Sequence, residues 1–203
     1  MPTSSFLAIP IVLNEMIKAQ PNSILDVGVG LGKYGILARE YLDWWTQKGR
    51  EGKRTHIEGI EIYQPYIEER PLDQYYDLIR IGDALETIRQ WQEPGKIIYD
   101  LILACDVIEH FPRERAEELM KLLLEHRTET GQCLFTIPLG ELWINNVVPG
   151  DNPAEKHLST WTRESVEEVC GAATRYTEIP GGPKGPIGVF VFALNSAKEM
   201  RLP

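Results

Sequence analysis

Residues Asp26–Gly35 read DVGVGLGKYG, four glycines in ten positions. The apolar Ser23-Ile24-Leu25 before them reads as the end of a buried strand. After them, Lys33–Trp45 (KYGILAREYLDWW) reads as a helix with Ile36, Leu37, Tyr41 and Trp44 at helical spacing. The stretch is therefore a strand-to-helix turn with almost no side chains, where a ligand can approach the backbone closely. In an open α/β sheet, ligands sit beyond the carboxyl ends of the strands, so this turn marks the place to look. Gly30-x-Gly32-x-x-Gly35 matches the dinucleotide spacing. Two details oppose that reading: the glycines already begin at Gly28, and Asp26 stands just before them. A buried carboxylate there repels a pyrophosphate and suits a cationic group such as an amine.

Working outward, short apolar runs alternate with amphipathic ones. Phe6–Gln20 reads as a helix stopped by Pro21-Asn22. His56–Ile62, Tyr76–Ala84 and Ile97–Ile108 read as the second, third and fourth strands, with a short helix over ALETIRQWQ. Pro112–Gly131 is the clearest helix, with Pro112 in its first turn and Gly131 as its stop. Gln132–Pro138 follows as a fifth strand. Thr162–Gly171 is a helix capped by Thr162 and ended by Gly171. TRYTEI and IGVFVFAL are two last strands, joined by the loop Pro180–Pro186 with no helix between them, so they can pair antiparallel. Strand–helix alternation predicts a parallel sheet covered on both faces. No linker divides the chain, so a single domain over residues 1–203 is expected.

The 203 residues suffice for one full core. A formal net charge of −9 makes nucleic acid and anionic membrane poor default partners. Lys48–Arg54 is the one dense basic run and reads as a solvated loop. Cys105, Cys133 and Cys170 are odd in number and widely spaced, which argues against disulfides or structural zinc and for a reducing, cytoplasmic setting. No apolar run is long enough to span a membrane.

ILDVGVGLGKYG resembles the first motif of class I S-adenosylmethionine-dependent methyltransferases. GIEIY, IGDALE and DLILACDVIEHF follow in that family's order, and the resemblance runs from about Phe6 to Leu194. It implies a Rossmann-like, seven-stranded, mostly parallel sheet with an antiparallel terminal pair, in the order 3-2-1-4-5-7-6. It implies S-adenosyl-L-methionine as cofactor, held by Asp26, Gly28, Gly30, Gly32, Glu61, Ile62, Asp83, Ala84, Asp106 and Val107. In that family the glycine loop wraps the methionine part, and the first acid helps hold its amino group. Glu61 stands where the family's acid accepts both ribose hydroxyls, which two carboxylate oxygens suit. The insertion WWTQKGREGKRT lengthens the gap before it, and Glu58 is the weaker alternative. Asp83 stands where the adenine amine is read, but it could equally cap the helix that follows.

The sulfonium already carries an activated methyl, so the protein must chiefly align a nucleophile, and a hydroxyl acceptor also needs a base. Glu109 and His110 follow the fourth strand directly, and His157 lies on the segment Pro138–Trp161, which in this family folds over the site. These three are the catalytic candidates. Trp143 and Trp161 on that cover segment suit a small amphipathic acceptor pocket, and the helix within residues 1–20 closes the cofactor side. Asp106-x-x-Glu109-His110 with His157 also resembles the divalent-metal pattern of ubiquinone-pathway and small-RNA 2′-O-methyltransferases, but a metal is not the favoured expectation. The expected activity is methyl transfer to an oxygen of a small molecule or a sugar. The alternatives are a metal-dependent RNA 2′-O-methyltransferase, an NAD(P)-binding oxidoreductase and a non-catalytic cofactor-binding module.

Overall fold

A computed structural model describes residues 5–48, 52–92, 97–144 and 152–193. Parts of two stretches read above, 49–51 of the basic run and 145–151 of the cover segment, lie outside the described residues. The central strand shows why the sheet is buried on both faces. In β4 (Tyr99–Cys105), Leu101, Leu103 and Cys105 point into one apolar cluster, and Ile102 and Ala104 into the other. On one side pack α1 (Ile9–Ala19) and α2 (Lys33–Ala38) through Val12, Met16, Tyr34 and Ala38. On the other pack α4 (Ala84–Arg89), α5 (Arg113–Glu125) and α6 (Arg163–Cys170) through Leu85, Ile88, Leu119, Met120 and Val166.

The seven strands run β3-β2-β1-β4-β5-β7-β6, as the motif order implies. β1 (Ser23–Val27) lies between β2 (His56–Glu61) and β4, parallel to both, and β3 (Leu78–Ile81) extends the sheet beyond β2. β5 (Arg127–Pro138) is parallel to β4, while β7 (Ile187–Ala193) is antiparallel to both β5 and β6 (Arg175–Ile179). A short α3 (Gln64–Glu68) follows β2. Thr162 caps α6 by accepting the Ser165 N–H, with the reciprocal bond completing a capping box, and Gly171 ends it at φ 81°.

Two local expectations are corrected. Gly131 is not a helix stop: α5 ends at Glu125, and Gly131 sits within β5, where the pairing with β4 shifts register between Tyr99 and Leu101. A side chain at Gly131 would come within 2.8 Å of the Tyr99 carbonyl oxygen, so the glycine permits that backbone approach. The predicted helix Lys33–Trp45 changes winding after Ala38 and continues as a π-helix over Arg39–Trp44. The wider turn rotates Leu42 and Asp43 inward and leaves Trp44 76% exposed, although its spacing had suggested a core position.

Arg39, the first residue of the π-helix, is buried. Its guanidinium donates to Asp43 (2.8 Å), Asp77 (2.7 Å), the Tyr75 carbonyl (2.8 Å) and the Thr55 carbonyl, and Asp43 accepts the Thr55 N–H as well (2.9 Å). This network ties α2 to the chain entering β2 and to the loop before β3. Among the described residues no helix is long and apolar enough to cross a membrane.

Candidate active site

A cavity of about 930 Å³ opens at the carboxyl ends of β1, β2 and β4. The glycine loop forms one wall. Gly28, Gly30 and Gly32 have φ of 76°, 53° and 80°, a left-handed backbone that costs other residues about 1–2 kcal/mol. A Cβ on Gly28 would overlap Val107 Cγ2 as well. Gly28→Ala is therefore expected to cost the left-handed strain plus about 1–3 kcal/mol of overpacking, read as a lower denaturation midpoint with an unchanged slope. An unchanged midpoint would show that the loop tolerates a side chain.

Gly28, Gly30, Glu61, Ile62, Asp83, Ala84, Asp106 and Val107 line the cavity, and so do Glu109, His110 and His157. Asp26 and Gly32 do not. Gly32 precedes α2 as its N-cap, packed on Leu72, and Asp26 is enclosed behind the loop at 1% exposure. Glu61 accepts the Gly30 N–H (2.8 Å) and the Tyr63 N–H (2.8 Å), which links the glycine loop to the end of β2, and burial raises its pKa. Glu58 does not line the cavity and is paired with Arg80 (3.2 Å) and His56 (2.8 Å). Asp83 caps α4 through the Glu86 N–H (3.1 Å) and holds Arg115 (3.0 Å) while also lining the cavity.

Asp106 ends β4 at φ 54°, a conformation rare for a residue with a side chain and found preferentially where function over-determines the backbone. Its carboxylate accepts from Thr136 Oγ1 (2.7 Å), and the N-terminal segment reaches the cavity through Ser5, Phe6 and Leu7. Burial raises its pKa to about 6. Three residues on, Glu109 is 1% exposed, and neither of its carboxylate oxygens has a partner. Burial, reinforced by the Asp106 charge, holds its pKa well above the ordinary range. A buried polar group without a partner costs about 1–3 kcal/mol, which marks Glu109 as a group awaiting one.

His110 Nδ1 lies 3.1 Å from the Lys156 carbonyl oxygen. A carbonyl only accepts, so Nδ1 carries the proton and Nε2 the lone pair. Burial lowers the His110 pKa, keeping the ring neutral at pH 7. His157 meets His110 edge-on at 4.9 Å between centroids and stacks on Trp143 at 6.2 Å. Its Nδ1 is buried without a partner, and burial with the His110 ring nearby lowers its pKa to about 4. One donor atom each from Glu109, His110 and His157 lie within 4.8 Å of one another. One oxygen and two neutral imidazoles, with one ring fixed through its far nitrogen, fit a divalent cation.

Of the two cover-segment tryptophans, Trp143 lines the cavity. Trp161 is a core residue at 1% exposure, donating from Nε1 to Ser159 (2.9 Å). The sequence reading missed Tyr66 and Glu155, which line the cavity and bridge it through a 3.1 Å hydrogen bond between α3 and the cover segment. Glu155 lies only two positions before His157, and that spacing was its signal.

A glycine loop, an acid closing β2 and an acid-Glu-His run closing β4, on a sheet with an antiparallel β5–β7–β6 finish, define the Rossmann-like methyltransferase fold. The sequence profile of the family described as "Methyltransferase domain" matches residues 8–173. The chain belongs to that family, which sets aside the oxidoreductase alternative. No curated protein matches it in sequence. Solved structures share the fold at low identity. Magnesium protoporphyrin IX methyltransferase from Synechocystis, solved with S-adenosylhomocysteine bound, has TM-score 0.61 at 14% identity, over 91% of this chain and 81% of that one. The N-methyltransferase NodS from Bradyrhizobium japonicum, also with S-adenosylhomocysteine, has TM-score 0.58 at 11% identity, over 91% and 86%. An O-methyltransferase family protein from Burkholderia thailandensis has TM-score 0.60 at 14% identity, over 95% and 57%. The chain spans only 56% to 62% of the length of several such proteins.

Proposed function

We propose that this protein transfers the methyl group of S-adenosylmethionine to a hydroxyl oxygen of a small molecule or a sugar, with His110 as the general base. The observation that carries this reading is a cluster lining the cavity: a neutral imidazole with its lone pair on Nε2, beside the unpartnered Glu109 carboxyl and His157. The bound cofactor supplies an electrophilic methyl on a sulfonium, so the departing sulfur leaves neutral and needs no proton. His110 takes the hydroxyl proton as the oxygen–methyl bond forms. Glu109 and His157 offer hydrogen-bond partners to the acceptor, and Trp143 offers an apolar face beside them. The acidic chain favours an uncharged, hydroxylated acceptor over RNA.

A second reading is favoured by the same three donor atoms: Glu109, His110 and His157 hold a divalent cation that would act as a Lewis acid toward the acceptor oxygen. One experiment addresses both. The protein is incubated with methyl-labelled S-adenosylmethionine and a panel of small hydroxylated compounds, sugars, RNA and protein, with manganese or with chelator. Label in the small-molecule or sugar fraction is expected, and label confined to RNA or protein would overturn the acceptor class. Calorimetric manganese binding that weakens about 10–100-fold in His157→Ala is the signature of the cation. Turnover unaffected by chelator, with no manganese binding, would remove it.

A further inference from the structure

The third glycine of Gly30-x-Gly32-x-x-Gly35 serves an aromatic ring. Tyr76, 3% exposed, enters from the loop before β3, and a Cβ on Gly35 would overlap its Cε2 and Cζ. A Cβ on Gly59 of β2 would lie only 3.2 Å from Tyr76 Cδ1, so two glycines make the slot for this ring. The Tyr76 hydroxyl then does two things. It accepts the Gly35 N–H (3.1 Å), a first-turn donor of α2 that the helix cannot satisfy internally and that the cap, Gly32, has no side chain to reach. It donates to Asp26 Oδ2 (2.5 Å). The other oxygen, Asp26 Oδ1, is buried with no partner, directly behind the loop whose Val27–Leu31 stretch faces the cavity.

We infer that Tyr76 is a positioning residue for cofactor binding: its hydroxyl clamps the start of α2 to the Asp26 carboxylate and fixes that charge behind the glycine loop, where it attracts the ammonium of the cofactor's amino-acid end. This rests on the S-adenosylmethionine reading above. The groups facing Asp26 are Tyr76, Glu61 from β2, Lys33 from α2 and Cys105 from β4. Burial pushes the Asp26 pKa up to about 7, and the Tyr76 hydrogen bond pulls it down by favouring the ionised form. A cationic ligand binds the ionised carboxylate better, so affinity rises as pH rises through about 7 and levels off above it. Loss of the hydroxyl raises the Asp26 pKa further and carries that rise to higher pH.

The test is calorimetric titration of S-adenosylhomocysteine from about pH 5.5 to about 8.5 with wild type, Tyr76→Phe, Asp26→Asn and the double variant. In Tyr76→Phe the affinity curve is expected to move up by about one pH unit, weakening binding near neutrality by up to about tenfold. Asp106, whose pKa burial raises to about 6, also titrates in this range, so the double-mutant cycle isolates Asp26: in the Asp26→Asn background, Tyr76→Phe is expected to add no displacement. Should Tyr76→Phe not fold, 3,5-difluorotyrosine placed at position 76, a stronger donor of nearly the same shape, moves the curve to lower pH instead. An undisplaced curve overturns the role of Tyr76 while leaving the cofactor reading intact. A wild-type protein that binds no S-adenosylhomocysteine at any pH overturns the cofactor reading itself.

Discussion

His110→Ala is expected to lower kcat by about 10²–10⁴-fold while leaving S-adenosylhomocysteine affinity nearly unchanged. The alanine removes the lone pair on Nε2 but leaves the bond between the glycine loop and Glu61 in place. The pH profile carries the same information. Burial lowers the His110 pKa, so the wild-type kcat at saturating cofactor is expected to be flat at neutral pH and to fall on the acid side, as the ring protonates and loses its basicity. In His110→Ala that acid limb disappears from whatever rate is left. A variant that keeps within a few-fold of wild-type kcat would show that the acceptor arrives already deprotonated or is activated elsewhere. Loss of cofactor binding together with rate would show instead that His110 supports the pocket rather than the chemistry.

The largest expected effect on stability lies at the opposite edge of the sheet, where the chain enters β2 and β3. Arg39→Leu should cost about 3–5 kcal/mol, because it leaves Asp43, at 3% exposure, as a buried charge with only the Thr55 N–H for compensation. For a chain of this length that is a fall in Tm of about 10 °C. Adding Asp43→Asn is expected to recover part of the loss by removing the stranded charge. A change in Tm no larger than an exposed pair would give, equivalent to about 1 kcal/mol or less, would mean that water reaches the site. Arg39 does not line the cavity at the carboxyl ends of the strands, so the folded fraction should still bind S-adenosylhomocysteine.

His110 is held by Lys156, and Arg39 by Thr55 and Asp77 as well as by Asp43 four positions on; the distant partners among these separate what could be read from the chain alone. The order of strands and helices, the capping box at Thr162 and the glycine turn after β1 were legible because each is written within a few residues. Apolar alternation, a side chain that caps three positions on, and a backbone needing positive φ are local causes with local signatures. Glu61, Asp106, Glu109 and His110 were legible for a related reason: each ends or follows a parallel strand, and parallel strands bring their carboxyl ends to one edge.

Local pattern misled where a distant contact took over. Gly131 after a long amphipathic stretch has the form of a helix stop, yet the Tyr99 carbonyl, 32 positions earlier, sets its use as a register shift in β5. Trp44 sits at helical spacing, but it ends the π-helix exposed, while Arg39 at the start of that helix is buried against Asp77 and Thr55. Gly35 fits a phosphate fingerprint, and only the arrival of Tyr76 from 41 residues further on reveals that it makes room for a ring. The sequence by itself determined the layered α/β architecture and the edge of the sheet at which the cavity opens, because periodicity and turn chemistry are properties of neighbours. Tertiary structure alone decided which buried charges are paired, which polar atoms are left waiting, and what holds Asp26 in place. Those depend on which distant segments meet, and no spacing along the chain encodes that meeting.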